Sequence, residues 1–151
     1  MARTHLNLQL SAVNPTDRAS YKFWTPERVR YADLEVQRHV NNMIVGAYFQ
    51  SARIAMLSDL DILWSTPEHA IVLARTINDY YKELTYPNEL EVGACVTRLG
   101  NTSFNMMFGV FVGNNCYASQ EAIAVYWNPV THEKRMLTPE VREKLIRFLV
   151  D

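Results

Sequence analysis

Hydrophobic and polar positions divide this chain into stretches of different period. From Asn42 to Asp59 apolar residues fall on nearly every side of a helical wheel: Met43, Ile44, Val45, Ala47, Tyr48, Phe49, Ala52, Ile54, Ala55, Met56 and Leu57, with Arg53 the only charge before Asp59. A helix that is apolar all round is expected to be buried in a core. Gly46 costs such a helix about 1 kcal/mol against alanine and suggests a close approach by a neighbouring backbone. Beyond a loop containing Pro67 the period changes to two. AIVLARTINDYY, from residue 70, reads as a long strand. Leu90, Val92, Ala94 and Val96 alternate with Glu91, Gly93, Cys95 and Thr97, and Phe104, Met106, Phe108, Val110 and Val112 form the next alternating set. A third runs through Tyr117, Ser119, Glu121, Ile123, Val125 and Trp127, and Asn128-Pro129 ends it. Gly100-Asn101 and Gly113-Asn114-Asn115 mark the turns between them, so these strands form an antiparallel meander. Thr138-Pro139-Glu140 opens a last helix, with threonine as N-cap and proline at the first helical position. Ahead of the long helix, YKFW, a turn at Thr25-Pro26-Glu27-Arg28 and an extended VRYAD are expected. Residues 1–20 are polar and irregular and read as a loose arm or an edge strand. Residues 21–151 form a single α+β domain, a sheet of about five strands curled around one helix. Its outer face and edges call for cover, which dimerisation supplies.

Composition narrows the class. The 151 residues are 48% hydrophobic and 21% charged with a net charge of −1, which is globular and lacks the basic footprint of a nucleic-acid binder. No run of eighteen apolar residues spans a bilayer. The first twenty residues lack a signal peptide's apolar stretch, so the cytoplasm is the expected compartment. There Cys95 and Cys116 are buried free thiols, and Asn101-Thr102-Ser103 is a glycosylation sequon by coincidence. His5, His39, His69 and His132 have no ligand spacing, so no metal is expected. There is no G-x-S-x-G elbow and no phosphate-binding glycine loop.

Candidate chemistry concentrates in DLEVQRHVNN, residues 33–42, at the mouth of the apolar helix. The first N–H groups of a helix point outward unsatisfied, with the positive end of the dipole behind them, and suit a polarised carbonyl or oxyanion. Asn41 and Asn42 are helix-start residues. Glu35, Gln37 and His39 lie in the loop leading in. A carboxylate beside such donors is what acyl transfer to water requires, one group activating water or attacking while the donors hold the developing charge.

The stretch VRYAD-LEVQRHVNN-MIVGAYFQSARIAML also resembles the opening of hotdog-fold acyl thioesterases of the 4-hydroxybenzoyl-CoA thioesterase type. DLEVQRHVNN is similar to the D-L-D-V-N-Q-H-V-N-N stretch of plant acyl-carrier-protein thioesterases. The likeness continues through AIVLARTINDYYKELTYPNELEV and TRLGNTSF, covering roughly residues 28–145. It implies a hotdog fold, assembly as a homodimer or homotetramer with sites at subunit interfaces, and hydrolysis of an acyl-CoA or acyl-carrier-protein thioester. Coenzyme A would be part of the substrate, with no separate cofactor.

Carried over by position, the resemblance places Glu35 on the catalytic aspartate, His39 and Gln37 on the histidine and asparagine of the plant enzymes, and the backbone N–H of Asn42 on the thioester carbonyl. Tyr31 falls on a tyrosine lining the site in some bacterial members. Arg98, Asn101, Thr102 and Ser103 fall on a turn that contacts coenzyme A phosphates. This chain departs from the pattern in having Glu for Asp and Gln for Asn, each one methylene longer, and Arg38 where the family often has glycine. Asp33 is the substitute carboxylate. The alternatives are a hotdog hydratase or dehydratase, whose helix motif has a different spacing, and a non-catalytic acyl-thioester-binding protein. Tyr48, Phe49, Met56, Trp64 and Met106 read equally as acyl pocket or as core.

Overall fold

The computed structural model describes residues 11–63 and 66–150; His5 and Trp64 lie outside them. The elements run β1 (Phe23–Val29), α1 (Asn42–Asp59), β2 (Ala70–Tyr80), β3 (Asn88–Leu99), β4 (Ser103–Val112), β5 (Asn115–Asn128), β6 (Glu133–Lys134) and α2 (Pro139–Ile146). All the strand pairs are antiparallel, in the order β1-β3-β4-β5-β2, and β6 extends the far end of β5. The sheet curls so that one face meets α1, which packs chiefly over β1, β3 and β4. Strand alternation decides what that face carries. Leu90, Val92, Ala94 and Val96 of β3, Phe104, Met106, Phe108 and Val110 of β4, and Ala118, Ala122, Ala124 and Tyr126 of β5 all enter one core with Val45, Tyr48, Phe49, Ala52, Met56 and Leu57 of α1. Of the residues that read equally as pocket or core, Tyr48, Phe49, Met56 and Met106 are therefore core.

Several local expectations change. Thr25–Arg28 is strand, not turn: Pro26 sits opposite Glu91 inside β1. A proline is tolerated there because β1 is an edge. VRYAD is not extended throughout, since Tyr31–Asp33 is a 3-10 turn. And α1 buries one face only. Met43 is 80% exposed, and Ala47, Gln50, Ser51, Ile54, Ala55 and Ser58 line an open groove on its far side. Apolar composition gave that helix no single direction, and the sheet supplies one. Nor does any backbone approach Gly46, where an added Cβ would meet nothing within 4 Å.

Residues 11–20 are neither a free arm nor a strand. They lie against the sheet's outer face, where Tyr21 packs with Cys95, Met107, Phe111 and Cys116. Gly93 and Gly109 are paired across β3 and β4, and the Tyr21 ring rests on them. A Cβ on Gly109 would stand 2.5 Å from Tyr21 Oη and one on Gly93 2.6 Å from the ring. Tyr21 Oη donates to Pro15 O at 2.6 Å, and the Arg18 guanidinium lies 4.0 Å over the Trp24 ring while pairing with Glu91 at 2.9 Å. Cys95 and Cys116 are free and buried, and burial pushes the thiols up to about 12 and about 11. Such thiols stay protonated and inert at neutral pH.

Candidate active site

The loop before α1 is a small hairpin closed on itself. Leu34 bridges Val40, Glu35 N donates to His39 O at 3.0 Å, and Arg38 N donates to Glu35 O at 2.9 Å. That is a three-residue hairpin whose last loop position takes a left-handed backbone, and Arg38 adopts it with φ 66°. The position is one that favours glycine, which explains why the resembled family often has glycine there.

Asp33 anchors the hairpin. It is 6% exposed, and its Oδ2 accepts from Tyr48 Oη at 2.6 Å and from Arg30 N at 2.8 Å. Burial and these bonds commit its carboxylate to holding the turn against α1. Burial is the first cause raising the Tyr48 hydroxyl above the usual tyrosine range, and the bond to Asp33 the second. Sequence reading had no route to this contact, because Tyr48 reads as one more apolar helix position.

The same hairpin organises the donors at the start of α1. Asn41 N donates to Asp33 O at 3.0 Å, Met43 N to Asn41 Oδ1 at 2.9 Å, and Ile44 N to Asn41 O at 2.8 Å. The N-cap side chain thus takes up one of the orphan donors of the first turn. Among the described residues, the N–H of Asn42 is left without a partner.

Glu35, Gln37 and His39 come together on the hairpin. His39 Nε2 lies 3.0 Å from Gln37 Oε1 and 3.1 Å from Glu35 Oε1. The contact with Gln37 has hydrogen-bond alignment. The one with Glu35 is close but off-line, so Glu35 Oε1 is buried with no aligned partner among the described residues. Which imidazole nitrogen carries the proton follows from these neighbours: with the proton on Nε2, His39 donates to Gln37. A second carboxylate, Glu83 Oε1, is 4.0 Å from His39 Nε2 and mostly exposed. His39 and Asn42 open onto a cleft of about 230 Å³ lined also by Val40, Val45, Tyr80, Lys82 and Ala118. Lys82 and Glu83 line this cleft although no motif in the sequence marks them. The signal was a charged pair directly after the strand end in DYYKEL.

Other candidates lie apart from this cleft within one chain. Tyr31 is 76% exposed and stacks edge-on with Tyr86, at 5.7 Å between centroids, lining a neighbouring cleft with Arg28, Pro87 and Glu89. The turn carrying Asn101, Thr102 and Ser103, with Arg98 just before it, joins β3 to β4 at the opposite end of the sheet. Thr102 O accepts from Tyr126 N at 2.9 Å, and Tyr126 stands eight residue steps along β5 from Ala118 of the cleft, about 26 Å. Among the described residues no group of three His, Cys, Asp or Glu side chains gathers as a metal site, and no helix is long and apolar enough to cross a membrane.

Comparison with known proteins agrees with this architecture. The profile of the thioesterase-like superfamily matches residues 29–145. Protein YsmA of Bacillus subtilis is 22% identical over 91 residues, 60% of this chain and 62% of that protein, so the chain spans about three fifths of the length of the curated relative it matches. The solved PA5185 protein of Pseudomonas aeruginosa superposes with a TM-score of 0.80 at 22% identity, covering 89% of this chain and 96% of that one. The 1,4-dihydroxy-2-naphthoyl-CoA thioesterase Slr0204 of Synechocystis does so with a TM-score of 0.72 at 16% identity, covering 82% and 95%. At such identities the structural likeness speaks for the fold, while the profile match spans most of the chain. The chain belongs to the thioesterase-like superfamily, and its curled antiparallel sheet around one helix is the hotdog fold.

Proposed function

We propose that this protein hydrolyses acyl thioesters of coenzyme A or of an acyl-carrier protein, with the reaction centred on Glu35 and the start of α1. The observation that carries the proposal is that one short hairpin holds both halves of the chemistry. Glu35 Oε1 has no aligned partner, and the Asn42 N–H is left over when Asn41 and Asp33 have taken its neighbours. In the proposed step, a water attacks the thioester carbonyl carbon and loses its proton to Glu35. The carbonyl oxygen becomes an oxyanion held by the Asn42 N–H and the helix dipole. Collapse of the tetrahedral species breaks the C–S bond, and the thiolate leaves with the proton returned from Glu35. The longer reach of Glu favours activating water over direct attack. Gln37 and His39 hold the carboxylate and the water in place. The step uses no cofactor beyond the coenzyme A of the substrate.

The turn from Arg98 to Ser103 is too far away to serve the cleft of its own chain. If it contacts coenzyme A phosphates, it does so at the cleft of a second copy, which is a reason to expect a homodimer or homotetramer. The test is thiol release from short, medium, long and aromatic acyl-CoAs and from an acyl-carrier-protein thioester, by wild type and by Glu35→Ala. Release that falls about a hundredfold in the variant is expected for loss of a general base. Undiminished release would move the carboxylate's role to another residue. No release from any of the substrates would leave a thioester-binding protein in place of an enzyme.

A further inference from the structure

The cleft beside Tyr31 holds chemistry that the proposed reaction does not use. It encloses about 630 Å³ between the end of β1 and the loop that leads into β3, a size within the range of about 300–1,000 Å³ of small-molecule sites. Its walls carry four kinds of group. Arg28 and Arg30 supply two guanidinia, Tyr31 and Tyr86 two aromatic rings, Glu89 a carboxylate and Asn88 a carboxamide.

The backbone explains why they meet. Register sets Arg28 opposite Glu89 and Val29 opposite Asn88. Arg30 is still extended, with φ −96° and ψ 151°, so its side chain leaves on the same side as Arg28, about 7 Å further along. The 3-10 turn that follows brings Tyr31 against Tyr86. The two rings meet edge to face, at 5.7 Å between centroids and 82° between planes. That contact orients the Tyr31 ring and leaves most of its surface open to solvent. Two large rings exposed side by side in a cleft are a stacking platform.

The arginines are uncommitted. Among the described residues neither guanidinium has a hydrogen bond or an ion pair, although Glu89 is the cross-strand neighbour of Arg28. Arg18, on the same face of the sheet, is by contrast bound to Glu91 and to Gly113 O. A guanidinium presents a planar fork of donors that matches the oxygens of a phosphate. Tyrosine faces stack on a base, a carboxylate accepts from ribose hydroxyls, and a carboxamide pairs with the edge of adenine. A bare phosphate would use the arginines alone and would be repelled by Glu89. An apolar ligand would desolvate the charges and satisfy none of them. The adjoining cleft shares Arg28, Arg30 and Glu89 but adds Glu27 and Glu91, which turns a phosphate toward the tyrosine side.

We propose that this cleft binds a nucleoside phosphate, with the base on Tyr31, the ribose hydroxyls on Glu89 and the phosphate between Arg28 and Arg30. Two sources carry that chemistry, a free nucleotide and the nucleotide end of a coenzyme A thioester. Binding here does not depend on hydrolysis, so the site is tested apart from the reaction centred on Glu35.

The first arm is calorimetric titration with ADP, adenosine and inorganic phosphate. ADP is expected to bind with a Kd below about 1 mM. Its affinity should be at least about tenfold above that of adenosine or of phosphate, because ADP engages both the rings and the forks. Arg30→Gln and Tyr31→Ser should each weaken ADP about tenfold or more. Both side chains are exposed, and an unchanged urea midpoint excludes damage to the fold. No heat from ADP at about 1 mM, phosphate binding as tightly as ADP, or an ADP affinity untouched by both substitutions overturns the proposal. The second arm identifies the source, from kcat/KM for an acyl-CoA divided by that for the same acyl-pantetheine. A ratio that falls about tenfold in Arg30→Gln, with ADP competing against the acyl-CoA, supports the site and assigns it to the substrate's nucleotide end. A constant ratio, with ADP and acyl-CoA bound together, supports the site and assigns it to a free nucleotide. If no thioester is hydrolysed, the thioesterase reading fails by itself and the calorimetric arm still decides this one.

Discussion

The outer face under Tyr21 and the hairpin in front of α1 are built from opposite materials. On the outer face Tyr21 lies on two paired glycines with Met107, Phe111 and two protonated thiols around it, and its hydroxyl has a partner. At the hairpin a non-glycine residue holds a left-handed backbone, a buried carboxylate oxygen lacks an aligned partner, and a helix N–H is left over. In the first region the polar group at the centre, the Tyr21 hydroxyl, is satisfied within the chain. The second leaves several needs unmet, all on one short hairpin and the first residue of the helix it leads into, which is where a protein keeps groups that are to interact with something else.

Substitutions that crowd the seat of Tyr21 should therefore reduce stability without touching turnover, and those that loosen the hairpin should lower turnover as well. Gly109→Ala is the largest expected effect. Its Cβ would collide with Tyr21 at 2.5 Å and with Phe111 at 2.7 Å, for a loss of about 2–3 kcal/mol in denaturant unfolding. The kcat of the folded fraction should be unchanged, and a fall in it would break the contrast. Tyr48→Phe should come next. It removes one of the two bonds to Asp33 Oδ2, destabilising by about 2 kcal/mol, and should lower kcat as well because the hairpin hangs on that bond. Unaltered turnover in this variant would mean that the hairpin keeps its geometry without the anchor. Arg38→Gly should raise stability by about 1 kcal/mol by relieving the left-handed backbone, seen as a higher urea midpoint.

The smallest effect sharpens the outer-face side. Burial first, and Asp79 nearby, raise the Glu121 carboxyl above its ordinary range. A carboxyl raised in the folded state binds its proton more tightly there than in the unfolded chain. The stability this gives is fully present below the unfolded value and is lost as the pH rises through the folded one. Glu121→Gln should therefore be more stable than wild type at pH 7, and the difference should vanish in acid. Urea titrations at the two pH values measure it.

Period carried most of the fold into view. The bounds of α1 and the alternation of β3, β4 and β5 follow from spacing alone, and the trio Glu35, Gln37 and His39 was legible because it lies within five residues. What spacing could not show were relations across the sheet. Gly93 and Gly109 become one seat for Tyr21 only when register pairs them. Tyr48 looks apolar until its hydroxyl meets Asp33. Pro26 looks like a turn until β1 is seen to be an edge. Arg30 and Tyr86 share a cleft only because β1 lies against β3.

The leftover donor at the head of α1 belongs to the main chain, at a residue whose own side chain is exposed. An alanine scan would pass over residue 42 as tolerant, and a survey of sequence variation would rank it by a carboxamide that is not the working group. Only chemistry that rewrites the backbone deletes that donor, a proline at 42 or an ester in place of its amide. The part of this cleft most exposed to substrate is thus also the part best shielded from mutation.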